Sequence, residues 1–316
     1  MKYMIFSDIH GNLPAFQEVK KNVAGKRFDL KICLGDSVGY YPFPNEVLRE
    51  VKGFADVILP GNHDMVVYEI AHRIRNNSRA EPSHEESMFR PAAREAASWI
   101  AHNLTDESFS MLEGIVNNKL PDKFSVQEGN LLFAHSTPKY PEDMDYIKNV
   151  GDAYEHFFSL SEFRGMTAFV GHTHEPQFYA EPKEDLGYSH PLGGRIKIIE
   201  DIGRGAPSAK PKMINTPETA WEKAQEEMMN KLTVRHNLSR PVEIKLDTSA
   251  YVRSLAVVPG LGQPRDGLNF TGYATYDTET KELCFVRIPY DTKPVLDRTR
   301  QIEALARQAN RLVHGI

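Results

Sequence analysis

Near the N-terminus the chain reads Tyr3-Met4-Ile5-Phe6-Ser7-Asp8-Ile9-His10-Gly11-Asn12-Leu13-Pro14. A short apolar run leads into an Asp-x-His pair. Leu13, Phe16, Val19 and Val23 then recur at helical spacing, with Pro14 suited to a first turn. Strand, chemistry-bearing turn, helix is the signature of a layered α/β protein. The same grammar recurs downstream. Leu30 to Leu34 and Ala55 to Leu59 read as the next strands, with a helix over Asn45 to Val51 between them. Phe89 to Asn117 reads as two helices, the second capped by Thr105. Leu131 to Ala134 and Thr167 to Val170 are further strands, separated by a helix over Asp152 to Leu160.

Each of these five strand-like runs ends in residues able to bind a metal. Asp8 and His10 follow the first, Asp36 the second, and Gly61-Asn62-His63-Asp64 the third. His135 ends the fourth, and Gly171-His172-Thr173-His174 follows the fifth. In a layered α/β fold the carboxyl ends of neighbouring strands share one edge, where ligands bind. Alone, an Asp-x-His pair or a Gly-Asp step most often marks a turn or a capped helix. Five in succession leave that explanation little room. Two carboxylates, an amide oxygen and four imidazoles are too many donors for one tetrahedral ion and suit two ions sharing a bridging carboxylate. Nitrogen and oxygen donors without thiolate favour manganese, iron, zinc or nickel over magnesium or calcium.

This order of motifs resembles the calcineurin-like metallophosphoesterase superfamily. A closer likeness, to its bacterial phosphodiesterase-like and diadenosine-tetraphosphatase-related group, rests on Ser7 to Pro14, on Leu34 to Tyr40 with Pro44-Asn45-Glu46, and on Gly262-Gln263-Pro264-Arg265-Asp266-Gly267. The resemblance covers residues 1 to 182 and 250 to 290. It implies a four-layer αββα sandwich, two mixed β-sheets packed face to face with helices outside. It also implies that Asp8, His10, Asp36 and His174 hold one divalent or trivalent transition-metal ion and that Asp36, Asn62, His135 and His172 hold the other. His63 then corresponds to the acid that protonates the leaving oxygen, and Asp64 to the carboxylate that orients it. The implied activity is hydrolysis of phosphodiester or small phosphomonoester bonds by a metal-bridging hydroxide. Diadenosine tetraphosphate hydrolysis, serine/threonine protein phosphatase activity and a non-catalytic scaffold are the alternatives. Val258-Pro259-Gly260-Leu261-Gly262 departs from the family's Asn-Pro-Gly-Ser-Val-Gly by one residue and lacks its Asn and Ser.

Two residues are candidates for substrate binding: Arg265, whose planar fork matches phosphate, and Asn12, through the helix start that follows it. An Arg265-Asp266 turn pair is the competing reading of the first. The substrate expected is a small phosphate ester or nucleotide. A formal net charge of -5 argues against stable nucleic-acid binding. No apolar run is long enough for a bilayer, so no membrane partner is expected. Cys33 and Cys284 lie in apolar runs, which speaks against disulfides; with no signal-peptide core at the start, a cytoplasmic location is expected. Residues 1–316 are expected to form one domain. The polar, Gly/Pro-rich stretch at about 183–240 reads as a surface insertion, with a β-like run at Arg195 to Ile199 and a helix opening near Thr216-Pro217. Strands follow at Val242 to Leu246, Val252 to Val258, Tyr273 to Tyr276 and Leu283 to Ile288. A C-terminal helix carries Ile302, Leu305, Ala306, Ala309, Leu312 and Val313 as its apolar stripe. It could cover the chain's own sheet or a second copy, which leaves a homo-oligomer open.

Overall fold

The structure is a computed structural model that describes residues 1–187, 190–201 and 219–316. Its strands run β1 Lys2–Phe6, β2 Leu30–Cys33, β3 Val57–Ile58, β4 Ser125–Glu128, β5 Leu131–Ala134, β6 Thr167–Val170 and β7 Gln177–Pro182. They continue with β8 Leu192–Arg195, β9 Lys197–Glu200, β10 Thr233–His236, β11 Val242–Asp247, β12 Tyr251–Val257, β13 Thr271–Asp277 and β14 Glu282–Ile288. Two six-stranded mixed sheets result, in the orders β11-β14-β13-β1-β2-β3 and β4-β5-β6-β12-β7-β8. In the first, β1, β2 and β3 are parallel. In the second, β5, β6 and β12 are parallel. The parallel strands put the carboxyl ends of each sheet on a common edge.

Alternation along the strands explains the layering. Tyr3, Ile5 and Ile32 of the first sheet meet Phe133, Phe169 and Phe178 of the second in the central core. Met4, Phe6 and Cys33, pointing the other way, pack with Phe16, Val19, Val47 and Val51. The last four belong to α1 (Leu13–Asn22) and α2 (Pro44–Phe54). Leu132, Ala168 and Leu255 turn outward from the second sheet onto Phe157 and Phe158. The architecture is thus helix, sheet, sheet, helix. Each buried aromatic of the central layer contributes about 1.5–3 kcal/mol through burial.

The structure adds three features that the sequence pattern hid. A helix, α3 (Asn62–Arg75), starts at the third metal-binding motif itself. It packs with α5 (Pro91–Asn103) and α6 (Asp106–Val116), and a short α4 (His84–Met88) lies before them. The expected helix over Asp152 to Leu160 is a short α7 (Val150–Ala153) followed by a π-helical turn over Tyr154–Phe158. The edge strand β4 was too polar to stand out.

The stretch at 183–240 is more than a surface excursion. β8 pairs with β7, and Leu192, Ile196, Met228 and Leu232 are buried in the central core. Its glycines suggested a loop, but Gly193 lies in a strand at φ +133, where an added Cβ would fall 2.0 Å from the Phe178 carbonyl oxygen. Only glycine fits so close an approach. α8 (Ala220–Lys231) is capped by Thr219; the expected opening at Thr216-Pro217 lies outside the described residues. The C-terminal helix is also revised. α9 (Lys293–Arg300) is followed by a 3-10 turn and α10 (Ala306–His314). Leu305, Ala309 and Leu312 are buried but Val313 is exposed. Ala309 and Leu312 pack with Tyr40 and Tyr41 of the same chain.

Candidate metal centre

The turns after β1, β2 and β6 share an unusual backbone. Asp8, His10, Asp36, His172 and His174 all have φ between +51 and +64. Non-glycine residues rarely occupy this left-handed region, and where they cluster the surrounding structure imposes it. Three other non-glycine residues do so among the described ones, including Met144 beside the site. The strain turns these five side chains into one space.

There Asp8, His10, Asp36 and His174 form one group of close donors, and Asp36, His135 and His172 a second. Asp36 belongs to both. Its Oδ1 accepts the His63 backbone N–H at 2.9 Å, which aims Oδ2 between the groups. Oδ2 lies 3.5 Å from His10 Nε2 and 3.6 Å from His135 Nε2. On the first side His174 Nε2 stands 3.2 Å from His10 Nε2 and 3.2 Å from Asp8 Oδ1.

The far edges of three imidazoles are tied to backbone carbonyls. His135 Nδ1 faces the Leu34 oxygen at 3.2 Å, His174 Nδ1 the Gln263 oxygen at 2.5 Å, and His172 Nε2 the Met144 oxygen at 2.9 Å. A ring nitrogen that donates to a carbonyl leaves the other nitrogen with its lone pair free, as metal-binding histidines require. Burial holds the rings of His10, His135 and His172 below the ordinary imidazole range, His135 at about 4, so they stay neutral. The Asp36 carboxyl is pushed the opposite way, by burial and then by the charges of Asp64 and Asp8.

The donor set fits cations. Asp36 Oδ2, Asn62 Oδ1 and His135 Nε2 are buried with no hydrogen-bond partner among the described residues. Unpaired polar atoms at one buried place are costly unless something charged completes them. Six of the seven expected ligands, Asp8, His10, Asp36, His135, His172 and His174, fall in these two groups, while Asn62, at the start of α3, leaves its side-chain oxygen buried and unpartnered. Cys33 and Cys284 are free and take no part.

His63 stands beside this cluster. Its ring lies 4.8 Å from that of His10 and is boxed by Tyr40 at 4.5 Å and Phe89 at 4.6 Å. Its Nδ1 has no partner among the described residues. Burial, then the Arg265 charge, lowers its pKa. Asp64 does not orient this ring by a hydrogen bond. Its carboxylate accepts the backbone N–H groups of Val38 at 3.0 Å, Gly61 at 3.1 Å and Ser37 at 3.3 Å. It joins the Asp36 loop to the start of α3.

A sequence model described as calcineurin-like phosphoesterase matches residues 1–176, more than half of the chain. The chain belongs to the calcineurin-like phosphoesterase family. A curated relative of this phosphoesterase, the protein MJ0912 of Methanocaldococcus jannaschii, is 24% identical over 297 residues, 93% of this chain and 90% of that one. A metallophosphoesterase structure from Sphaerobacter thermophilus has a TM-score of 0.63 at 24% identity, covering 100% of this chain and 99% of its own. Protein PH1004 of Pyrococcus horikoshii has a TM-score of 0.57 at 14% identity, over 99% and 98% of the two chains. These similarities show that the phosphoesterase fold spans the whole chain.

The two candidate substrate residues differ in how their side chains are engaged. Arg265 does not pair with Asp266, whose Oδ2 is 2.8 Å from Arg287. Its Nε and Nη2 donate to Gln263 Oε1 at 3.3 and 3.1 Å, which orients the fork. The Asn12 side chain caps the helix start through which it was expected to act. Its Oδ1 accepts from Ala15 N–H, and its Nδ2 donates to the Gly262 oxygen at 2.7 Å and to the Tyr290 hydroxyl at 2.9 Å. The shortened loop is tied to the first metal-binding turn: Leu261 and Gly262 N–H donate to the Ser7 and Asp8 oxygens, each at 2.9 Å.

Two residues escaped the sequence reading. Tyr146 stacks on His172 with ring centres 4.0 Å apart. Phe89 walls His63 from a loop between helices. No motif surrounds either, and a lone aromatic in a loop ordinarily reads as packing.

Proposed function

We propose that this phosphoesterase hydrolyses phosphodiesters or small phosphomonoesters with two transition-metal ions, drawn from manganese, iron, zinc or nickel. Asp8, His10, Asp36 and His174 would hold one, and Asp36, Asn62, His135 and His172 the other. The observation that carries this reading is the position of Asp36, whose unpartnered oxygen lies between two sets of neutral imidazoles. When bound, the ions supply a water acidic enough to attack at neutral pH and neutralise charge on the nonbridging phosphate oxygens.

The remaining work falls to side chains. Arg265, held by Gln263, binds phosphate oxygens through the free part of its fork and orients the ester. His63 carries the proton to the leaving oxygen. A bound phosphate opposes the Arg265 charge that depresses His63, which favours the protonated ring when it is needed. Tyr40 and Phe89 keep water from the other faces of that ring. The test is a panel of aryl diester, aryl monoester, dinucleoside polyphosphate and phosphopeptide, assayed before and after chelation. The reading expects the simple esters to be cleaved and chelation to abolish turnover. Dominance of the dinucleotide by orders of magnitude would move the assignment to that class, and chelator-resistant turnover would remove the metals from it.

A further inference from the structure

A cavity of about 390 Å³ beside the π-helical turn and one of about 700 Å³ beside Trp99 lie outside the metal edge. A third, of about 370 Å³, is lined by Glu175, Pro176, residues 195–199, Arg265 and Asp266. Arg265 lines it and adjoins the metal edge, its backbone N–H donating to the His174 oxygen at 3.4 Å. Glu175 directly follows His174. The third cavity is therefore an extension of the phosphate site, and its outer wall comes from the stretch that the sequence set apart.

The wall is cationic and apolar together. Arg195 Nε lies 2.9 Å from Glu175 Oε2, and its two terminal amino groups have no partner among the described residues. Lys197 likewise has none. The cavity's other carboxylate, Asp266, is already neutralised by the fully buried Arg287. Counting Arg287, four cationic groups stand against two carboxylates. Between them, Ile196, Ile198 and Ile199 present an apolar surface. Such a wall has no task for an ester with one charged phosphate, which Arg265 and the metal edge already hold.

We propose that this cavity binds the part of the substrate beyond the scissile phosphate, and that this part carries a second phosphate, held by Arg195 and Lys197. A flat or cyclic moiety would bridge the two phosphates over the isoleucines. The reading rests on the phosphoesterase assignment above and narrows it to substrates with two separated phosphate groups. The volume admits a sugar or an aromatic ring with one phosphate.

Two measurements on the metal-loaded protein test this, one independent of turnover. Titration calorimetry compares thymidine 3′,5′-bisphosphate with thymidine 5′-monophosphate, for the wild type, Arg195→Gln, Lys197→Gln and the double variant. The bisphosphate is expected to bind the wild type about tenfold more tightly, with the preference falling to about twofold in the double variant. Equal binding by the wild type, or an undiminished preference in the double variant, overturns the proposal. Lys197→Gln, a change on an exposed side chain, guards against a folding defect at Arg195 and should lose part of the preference alone. In parallel, nitrophenol release from the p-nitrophenyl ester of thymidine 5′-phosphate is measured with and without a 3′-phosphate. The 3′-phosphate should lower KM in the wild type only, with kcat on the ester lacking the 3′-phosphate unchanged in the variants. A binding preference that persists without any ester cleavage would defeat the catalytic assignment and leave the subsite standing.

Discussion

The first sheet delivers Asp8, His10, Asp36, Asn62 and His63 from the ends of β1, β2 and β3, whereas the second delivers His135, His172 and His174 from β5 and β6. The first contribution carries both carboxylates; the second is imidazole alone. Yet each donor group draws on both sheets, because His174 joins Asp8 and His10 while Asp36 joins His135 and His172. A site divided in this way does not exist until the two sheets pack. Its charge comes from one side alone, whereas neutral donors come from both.

The division predicts unequal damage. Asp36→Asn should do most, since one oxygen serves both groups: both ions should be lost and turnover should fall on the order of 10⁴ or more. His135→Ala, on the second sheet, should release one ion and keep the other, as counted by metal analysis of the purified variant. Equal loss of both ions in both variants would erase the contrast between the sheets. His63→Gln should retain both ions. It should cost about 10² to 10⁴ in kcat on an alkyl ester but far less on a nitrophenyl ester, whose leaving group departs without a proton. Equal losses on the two esters would give His63 a positioning role instead.

Stability against pH offers a smaller, sharper test. Burial lowers the pKa of His10, His63, His135, His172 and His174 in the metal-free fold, His135 from 6.5 to about 4. Below pH 6.5 the unfolded chain takes up protons that these rings refuse, so stability is lost as pH falls through that window. Asp36 and Asp64 act oppositely. Burial raises them, Asp64 from 3.8 to about 6, and their contribution is lost as pH rises through the same range. Five rings outnumber two carboxyls, so the metal-free protein should melt lower at pH 5 than at pH 7, by circular dichroism. Asp64→Asn should lower Tm further through the loss of its N–H acceptors. A Tm that rises on acidification would contradict the balance.

How much of this was legible follows from the same geometry. Strand-end donors are local in sequence: an apolar run followed at once by Asp, Asn or His reveals both the strand and its chemistry. Thus Asp8, His10, Asp36, His135, His172 and His174, which the fold gathers into two donor groups, were legible as strand-end residues. What stayed hidden depended on long-range approach. The hydrogen bonds of Asp64 to Ser37 and Val38 join loops that periodicity cannot connect. Tyr146 meets His172 across a turn with no regular pattern. Gly193 fell within the stretch read as a surface insertion because the neighbouring backbone that requires glycine there, at Phe178, is contributed by another strand. Asn12 caps α1 with its side-chain oxygen, and its further bonds to Gly262 and Tyr290, some 250 residues away or more, were likewise invisible to local pattern.

Anomalous diffraction from crystals of the metal-loaded protein addresses the shared carboxylate directly. Two peaks are predicted, about 3.5 to 4 Å apart, with Asp36 Oδ2 between them and His174 and His172 on opposite ions. A single peak lacking contact with Asp36, or donors that stay empty at saturating metal, would contradict it.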